Sequence, residues 1–160
     1  AVGPLLMGIL FASEGFGAVL GSLLIASRSS IIFQGRYYIL GSLLAAAGLL
    51  LFGISNSYIF AYFALLLAGI GVSGFATMQS TIVLITARDN VRGRALGVIT
   101  LGIGTLPIGA LIIGALASLQ GPVFAVTIHA TLGIILVCLV AIFFRNLWGK
   151  ISADQTPYKF

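Results

Sequence analysis

Five long apolar runs, separated by short polar connections, set the pattern of this chain. They cover about Val2 to Ala26, Tyr37 to Ile54, Tyr58 to Thr86, Ala95 to Leu119 and Pro122 to Leu147. Each is close to or above the ~20 residues that a helix needs to cross the hydrocarbon core of a bilayer. None shows the period-two alternation of apolar and polar residues that a membrane barrel strand carries over about ten positions. The runs are therefore expected to be helices, and their glycines do not oppose this, because glycine is commoner in membrane helices than in soluble ones. The predicted fold is all-α: a polytopic transmembrane bundle over residues 1–148, with a disordered tail at 149–160 where nothing periodic remains to fold.

Composition agrees with that pattern. Only 7% of residues are charged, against about 25% in a soluble domain, so the surface is expected to face lipid. The net charge of +5 does not point to nucleic acid, because the charges fall between the apolar runs. All eight basic residues, Arg28, Arg36, Arg88, Arg92, Arg94, Arg145, Lys150 and Lys159, lie in Ser27 to Arg36, in Arg88 to Arg94 or in the tail, whereas Ser55 to Ser57 and Gln120 to Gly121 hold none. That alternation follows the positive-inside bias and predicts a cytoplasmic C-terminus. With five crossings Ala1 then falls on the outer side without a start methionine or leader, so it is expected to be a truncation point that follows missing helices.

Several chemistries are not suggested. Cys138 is the single cysteine, which allows neither an intrachain disulfide nor a thiolate cluster, and one His with one membrane Glu cannot form a zinc site of standard spacing. Gly102-Ile103-Gly104 follows no strand and is not a nucleotide fingerprint. No nucleophile, base and orienting acid are recognisably arranged, so neither an enzyme nor a cofactor is expected.

Four features can carry function. Glu14 is the acidic residue inside a span, close to its middle. A charge there is expensive in lipid, so the side chain is expected to face protein or a water-filled cavity, on a stripe with Gly17, Ala18 and Gly21 that lets a neighbour approach closely. It either exchanges protons or simply ties two helices together. His129 shares a stripe with Ala125 and Gly133 and is expected to face protein, as a proton relay or as an interhelical hydrogen bond.

Ser73, Thr77, Ser80 and Thr81 recur at helical spacing and form a polar seam on the third run, with Met78 and Gln79 beside it. Such a seam can line an aqueous path, or its hydroxyls can bond back to the preceding turn. Gly102, Gly104, Pro107, Gly109 and Gly114 interrupt the fourth run, which makes it either a kinked, moving element or a tightly packed one.

Three segments resemble the C-terminal half of a major facilitator superfamily transporter, in the branch of enterobactin exporters and related bacterial efflux permeases. The first is Gly15-Phe16-Gly17-Ala18-Val19-Leu20-Gly21-Ser22-Leu23-Leu24 with the basic loop that ends in Gly35-Arg36. The second is Met78-Gln79-Ser80-Thr81 leading into Arg92-Gly93-Arg94-Ala95-Leu96-Gly97, and the third is Gly104-Thr105-Leu106-Pro107-Ile108-Gly109-Ala110. The resemblance implies that the spans are helices eight to twelve of twelve and that the first, third and fourth line a central cavity. It favours Glu14 and the seam over His129, and it makes Arg92 and Arg94 cytoplasmic loop residues. This chain departs from the family at Ala87 and Arg88, where a proline is common, and its first basic loop lacks the usual acidic residue.

The resulting expectation is a secondary transporter that exports a small molecule in exchange for protons by alternating access, with the lipid bilayer, the substrate and the missing N-terminal half as its partners. The alternative is a membrane-embedded assembly subunit that does not itself transport.

Overall fold

The computed structural model describes residues 3–28 and 31–149. These form α1 (Pro4–Ala26), α2 (Gln34–Gly53), α3 (Tyr58–Thr86), α4 (Arg92–Gly104), α5 (Leu106–Gln120) and α6 (Pro122–Phe143), followed by a 3₁₀ turn, Arg145–Trp148. No strand occurs among the described residues, and with α4 and α5 counted as one span there are five helical spans long and apolar enough to cross a membrane. From residue 150 on, the expected disordered tail lies outside the described residues.

Proline opens three of the helices: Pro4 and Pro122 as the first residue of α1 and α6, and Pro107 as the second of α5. At these positions its missing N–H would have had no partner within the helix. Gly121, between α5 and α6, has φ 91°, a conformation that side chains with a Cβ rarely adopt. Glycine there permits a one-residue reversal.

The helices lie side by side in the order α1, α3, α2, α6, α5. The Tyr58 hydroxyl donates to the Leu6 carbonyl at 2.9 Å, and farther along Gly17 meets Leu66 and Gly21 meets Ser73, so α1 and α3 run parallel. Antiparallel to them, α2 sets Gly48 against Ala64 and Ala68 and Gly41 against Gly71 and Phe75. Its Gly53 meets Thr127 at one end of α6, and its Gly35 meets Leu147 beyond the other. The helix directions thus gather Arg28, Arg36, Arg88, Arg92, Arg94 and Arg145 at a single end of the bundle.

Small residues are what bring these backbones together. On α3, Ala64, Ala68 and Gly71 face α2, while Gly69 on the opposite side faces α1 at Glu14 and Ala18. Lipid tails are as apolar as leucine, so helices in a bilayer associate chiefly through packing of this kind rather than through exclusion from water. α3, clasped on two sides, is accordingly the most buried span, whereas the span formed by α4 and α5 has no buried residue.

Three boundaries differ from the apolar pattern by three residues or more, the first being α2, which begins at Gln34 rather than Tyr37. The fourth span begins at Arg92, so Arg92 and Arg94, expected in a loop, instead occupy the first turn of α4. Hydropathy marks where a chain leaves the hydrocarbon, and backbone hydrogen bonding continues beyond that point. Two arginines at a helix N-terminus oppose the helix dipole. Asp89 offsets part of this through a 2.7 Å ion pair with Arg92, whose Nε also donates to the Leu84 carbonyl at 3.0 Å. At the other end of the chain α6 stops at Phe143, four residues short of the expected limit, and the 3₁₀ turn takes over.

Candidate functional site

Glu14 lies at the centre of α1, half-buried where α1 crosses α3. The buried stripe of the helix is Leu10, Ser13, Gly17 and Gly21, so the expected stripe of Glu14, Gly17, Ala18 and Gly21 is rotated by about one residue. Glu14 flanks the contact: its carbonyl rests against Gly69 while its side chain lies at the edge. The ion pair found among the described residues is Arg92 with Asp89, so the Glu14 carboxylate has no basic partner there.

Next to it, Gly17 and Gly21 are closed positions. A methyl at Gly17 would overlap the Leu66 carbonyl, and one at Gly21 would overlap the Ser73 hydroxyl. Through Gly21 and Ser73, the Glu14 region is continuous with the polar seam of α3. Ser73 is buried, and its hydroxyl donates to the Ile70 carbonyl at 2.8 Å. Thr81 donates to the Thr77 carbonyl at 2.7 Å, and Ser13 to Leu10 at 2.6 Å. These hydroxyls are satisfied within their own helices and do not cross between helices.

The seam changes character along its length. The contacts between α1 and α3 share a sequence offset of about 50, so α3 outruns α1 by nearly three turns at the basic end. Ser73 is covered by Gly21, Thr77 and Ser80 are exposed, and Thr81 is half-buried. Gln79 is half-buried on another face of α3. Met78, expected beside the seam, is 2% exposed and belongs to the packed interior.

The fourth span breaks at Thr105. Pro107 has no N–H to offer the Ile103 carbonyl four residues back, and its ring crowds that carbonyl. The Thr105 N–H turns instead to the Gly102 and Ile103 carbonyls, and its hydroxyl donates to Gly102 at 2.7 Å. Gly104 and Gly109, expected to pack against a neighbour, have nothing within 4 Å of where a Cβ would stand. They flank the break without joining a described contact. The structure therefore brings Glu14, Gly17, Gly21 and Ser73 together, and it leaves Gly104, Pro107 and Gly109 on a separate element.

His129 does not face the α6 contact as expected. It is exposed, because Ala125 and Ala130 form the buried side of α6, and it lines a groove of about 400 Å³ with Tyr38, Ser42, Phe75 and Gly133. Two polar contacts have no signal in the residue pattern. One is the Tyr58 to Leu6 bond, and the other is a clasp in which Arg36 stacks on Phe33, 4.2 Å from the ring centre, while its Nε donates to the Trp148 carbonyl at 2.8 Å.

Residues 1–159 match the family model MFS_3, described as transmembrane secretion effector. No curated protein and no solved structure matches the chain.

Proposed function

Because this chain belongs to the MFS_3 family of transmembrane secretion effectors, we propose that it forms the C-terminal half of a secondary transporter that exports a small molecule in exchange for protons. Substrate passes by alternating access, with α1, α3 and the broken fourth span on the cavity side. The observation that carries this reading is Glu14: a carboxyl at the middle of a span, half-buried beside a close helix contact and without a basic partner among the described residues. A purely structural acid would be tied to a partner, because an unpaired charge at that depth is costly. In this reading Glu14 takes a proton from one side and releases it to the other.

The exposed hydroxyls of Thr77 and Ser80 continue the path toward the basic end, with Gln79 at its margin, and the bend at Thr105 supplies the moving part. Arginines at that end hold it on the cytoplasmic face of a bacterial inner membrane. The resemblance of the sequence to the branch of enterobactin exporters and related efflux permeases supports export as the direction and leaves the substrate open.

The test is efflux of a compound panel from cells or proteoliposomes carrying the full-length protein, with and without a collapsed proton gradient. Glu14→Gln is expected to abolish gradient-dependent efflux while leaving insertion and yield unchanged, and Glu14→Asp to retain part of it. Full efflux by Glu14→Gln would remove the carboxyl from the mechanism. The second reading, a non-transporting assembly subunit, draws on the uncovered face of α4 and α5. It predicts no gradient-dependent flux by the unaltered protein.

A further inference from the structure

A second groove lies away from Glu14, between α1 and α2, with α3 as its floor. It encloses about 380 Å³. The half-buried Leu44 of α2 and Ile70 of α3 form its deep part with the buried Gly21, Gly41 and Gly74, the exposed Leu24 of α1 lies on its rim, and Ser27, Arg28 and Tyr37 line its end at the basic side of the bundle. α1 and α2 do not touch each other, and no other described helix closes the groove. Its opening therefore faces away from the described helices.

The charge at its end has no internal partner. Arg28 is exposed, and among the described residues no carboxylate pairs with it. Arg36, by comparison, is engaged with Trp148 and Phe33, and Arg92 with Asp89. The Ser27 hydroxyl is committed to the Leu24 carbonyl at 2.9 Å, which leaves the guanidinium as the dominant feature of that end.

We infer that this groove is a site for one anionic phospholipid, with an acyl chain between α1 and α2 and its phosphate at Arg28. Charge and shape both point to that occupant. At about 30 Å³ for a water-sized group, 380 Å³ takes roughly a dozen methylene-sized groups, the bulk of one acyl chain. Burying that chain in protein rather than bilayer gains little, because the two media are equally apolar. Selectivity must then come from the headgroup, and a guanidinium beside a phosphate in the interfacial region supplies it through charge-assisted, bidentate hydrogen bonds. A free phosphate would meet Arg28 alone and make no use of the groove. A partner helix would fill the groove but would have to place a carboxylate at its end.

The site is tested on the purified, delipidated protein in detergent, by native mass spectrometry during titration with phosphatidylglycerol or phosphatidylcholine. Phosphatidylglycerol is expected to bind first. Arg28→Gln is expected to lower its apparent affinity about fivefold, the contribution of one interfacial arginine, and to weaken phosphatidylcholine, whose choline already offsets the phosphate charge, by less. Arg28→Lys should keep most of the preference, which shows that the fold survives substitution there. Leu44→Trp, which fills the deep part, should reduce binding with Arg28 intact, and Arg88→Gln, at the same end but outside the groove, should change nothing. Equal loss in Arg88→Gln and Arg28→Gln would reduce the effect to a diffuse field and overturn the site. So would full binding by Leu44→Trp, or displacement of the lipid by inorganic phosphate. None of these readouts depends on transport, so the lipid site and the export function stand or fall separately.

Discussion

The backbone contact between α2 and α3 can be challenged with a single methyl group. A Cβ added at Gly48 would stand 2.6 Å from the Ala68 nitrogen and 2.8 Å from both the Ala64 carbonyl oxygen and the Ala68 Cα, whereas ordinary contact begins near 3.4 Å. All three obstacles are backbone atoms, so no rotamer change relieves them, and the helices must part locally by up to about 0.8 Å. Overpacking of this kind costs about 1–3 kcal/mol. Replacing a helical glycine by alanine also returns up to about 1 kcal/mol of helix propensity, and the comparison with Gly97→Ala removes that contribution. Gly97 lies in α4 with nothing within 4 Å of its would-be Cβ, so its alanine variant carries the propensity gain alone. Gly48→Ala is expected to unfold earlier than Gly97→Ala by about 1–3 kcal/mol when dodecylsulfate unfolding in mixed micelles is followed by circular dichroism. Adding Ala64→Gly should not rescue it, since the methyl meets the carbonyl of residue 64 and not its side chain. Coincident unfolding of Gly48→Ala and Gly97→Ala would refute the close approach of α2 and α3.

Pro107→Ala restores a donor for the Ile103 carbonyl. Spin labels at the exposed positions 98 and 112 should then move apart as α4 and α5 straighten, and an unchanged distance would locate the bend in Gly104 and Thr105 instead. Tyr58→Phe removes the 2.9 Å bond to Leu6, with a stability loss of about 1 kcal/mol or less. Amide exchange in the first two turns of α1 should rise, and unaltered exchange would show that the bond does not hold that end. Arg36→Ala frees the Trp148 carbonyl and should shift the emission of Trp148 to longer wavelength. Emission that stays in place would mean that α6 holds the turn without help, through the 2.9 Å bond from the indole to Ala141.

The spans themselves were legible because a single physical requirement, about twenty apolar residues per crossing, dominates the sequence. The faces of those spans were harder to read. Gly17, Ala18 and Gly21 define two overlapping stripes on α1, one through Glu14 and one through Ser13, and only the position of α3 decides between them. His129 was misplaced for the same reason: Ala125 and Gly133 frame it at intervals of four, yet Ala130 one step away takes the contact. The seam on α3 was visible as a spacing, but its division into a covered Ser73 and an exposed Thr77 depends on where α1 ends relative to α3. Arg92 and Arg94 were assigned to a loop because charge ended the apolar run, while the helix continues through them.

These differences bear on where the molecule can move. α1, α3 and α2 meet through glycines that already place backbone against backbone, so sliding one past another would bring each Cβ and carbonyl out of the recess that receives it. Packed contacts of this kind change in discrete steps rather than continuously. The fourth span is built the other way. Its principal contact is α6, its glycines have free space, and its hydrogen-bond ladder is already interrupted at Pro107. Bending there leaves the backbone contacts among α1, α2 and α3 untouched, and Thr105 serves the Gly102 and Ile103 carbonyls in place of their usual donors. On the proposed mechanism, a proton arriving at Glu14 acts on the rigid part, and the displacement it triggers is taken up where resistance is least. If α1 and α3 instead moved freely while α4 and α5 stayed fixed, a disulfide engineered between α1 and α3 within the Leu10, Ala61 and Leu65 cluster would stop transport. On the geometry seen here, such a cross-link should leave transport intact, and it is a lock across the Thr105 bend that should abolish it.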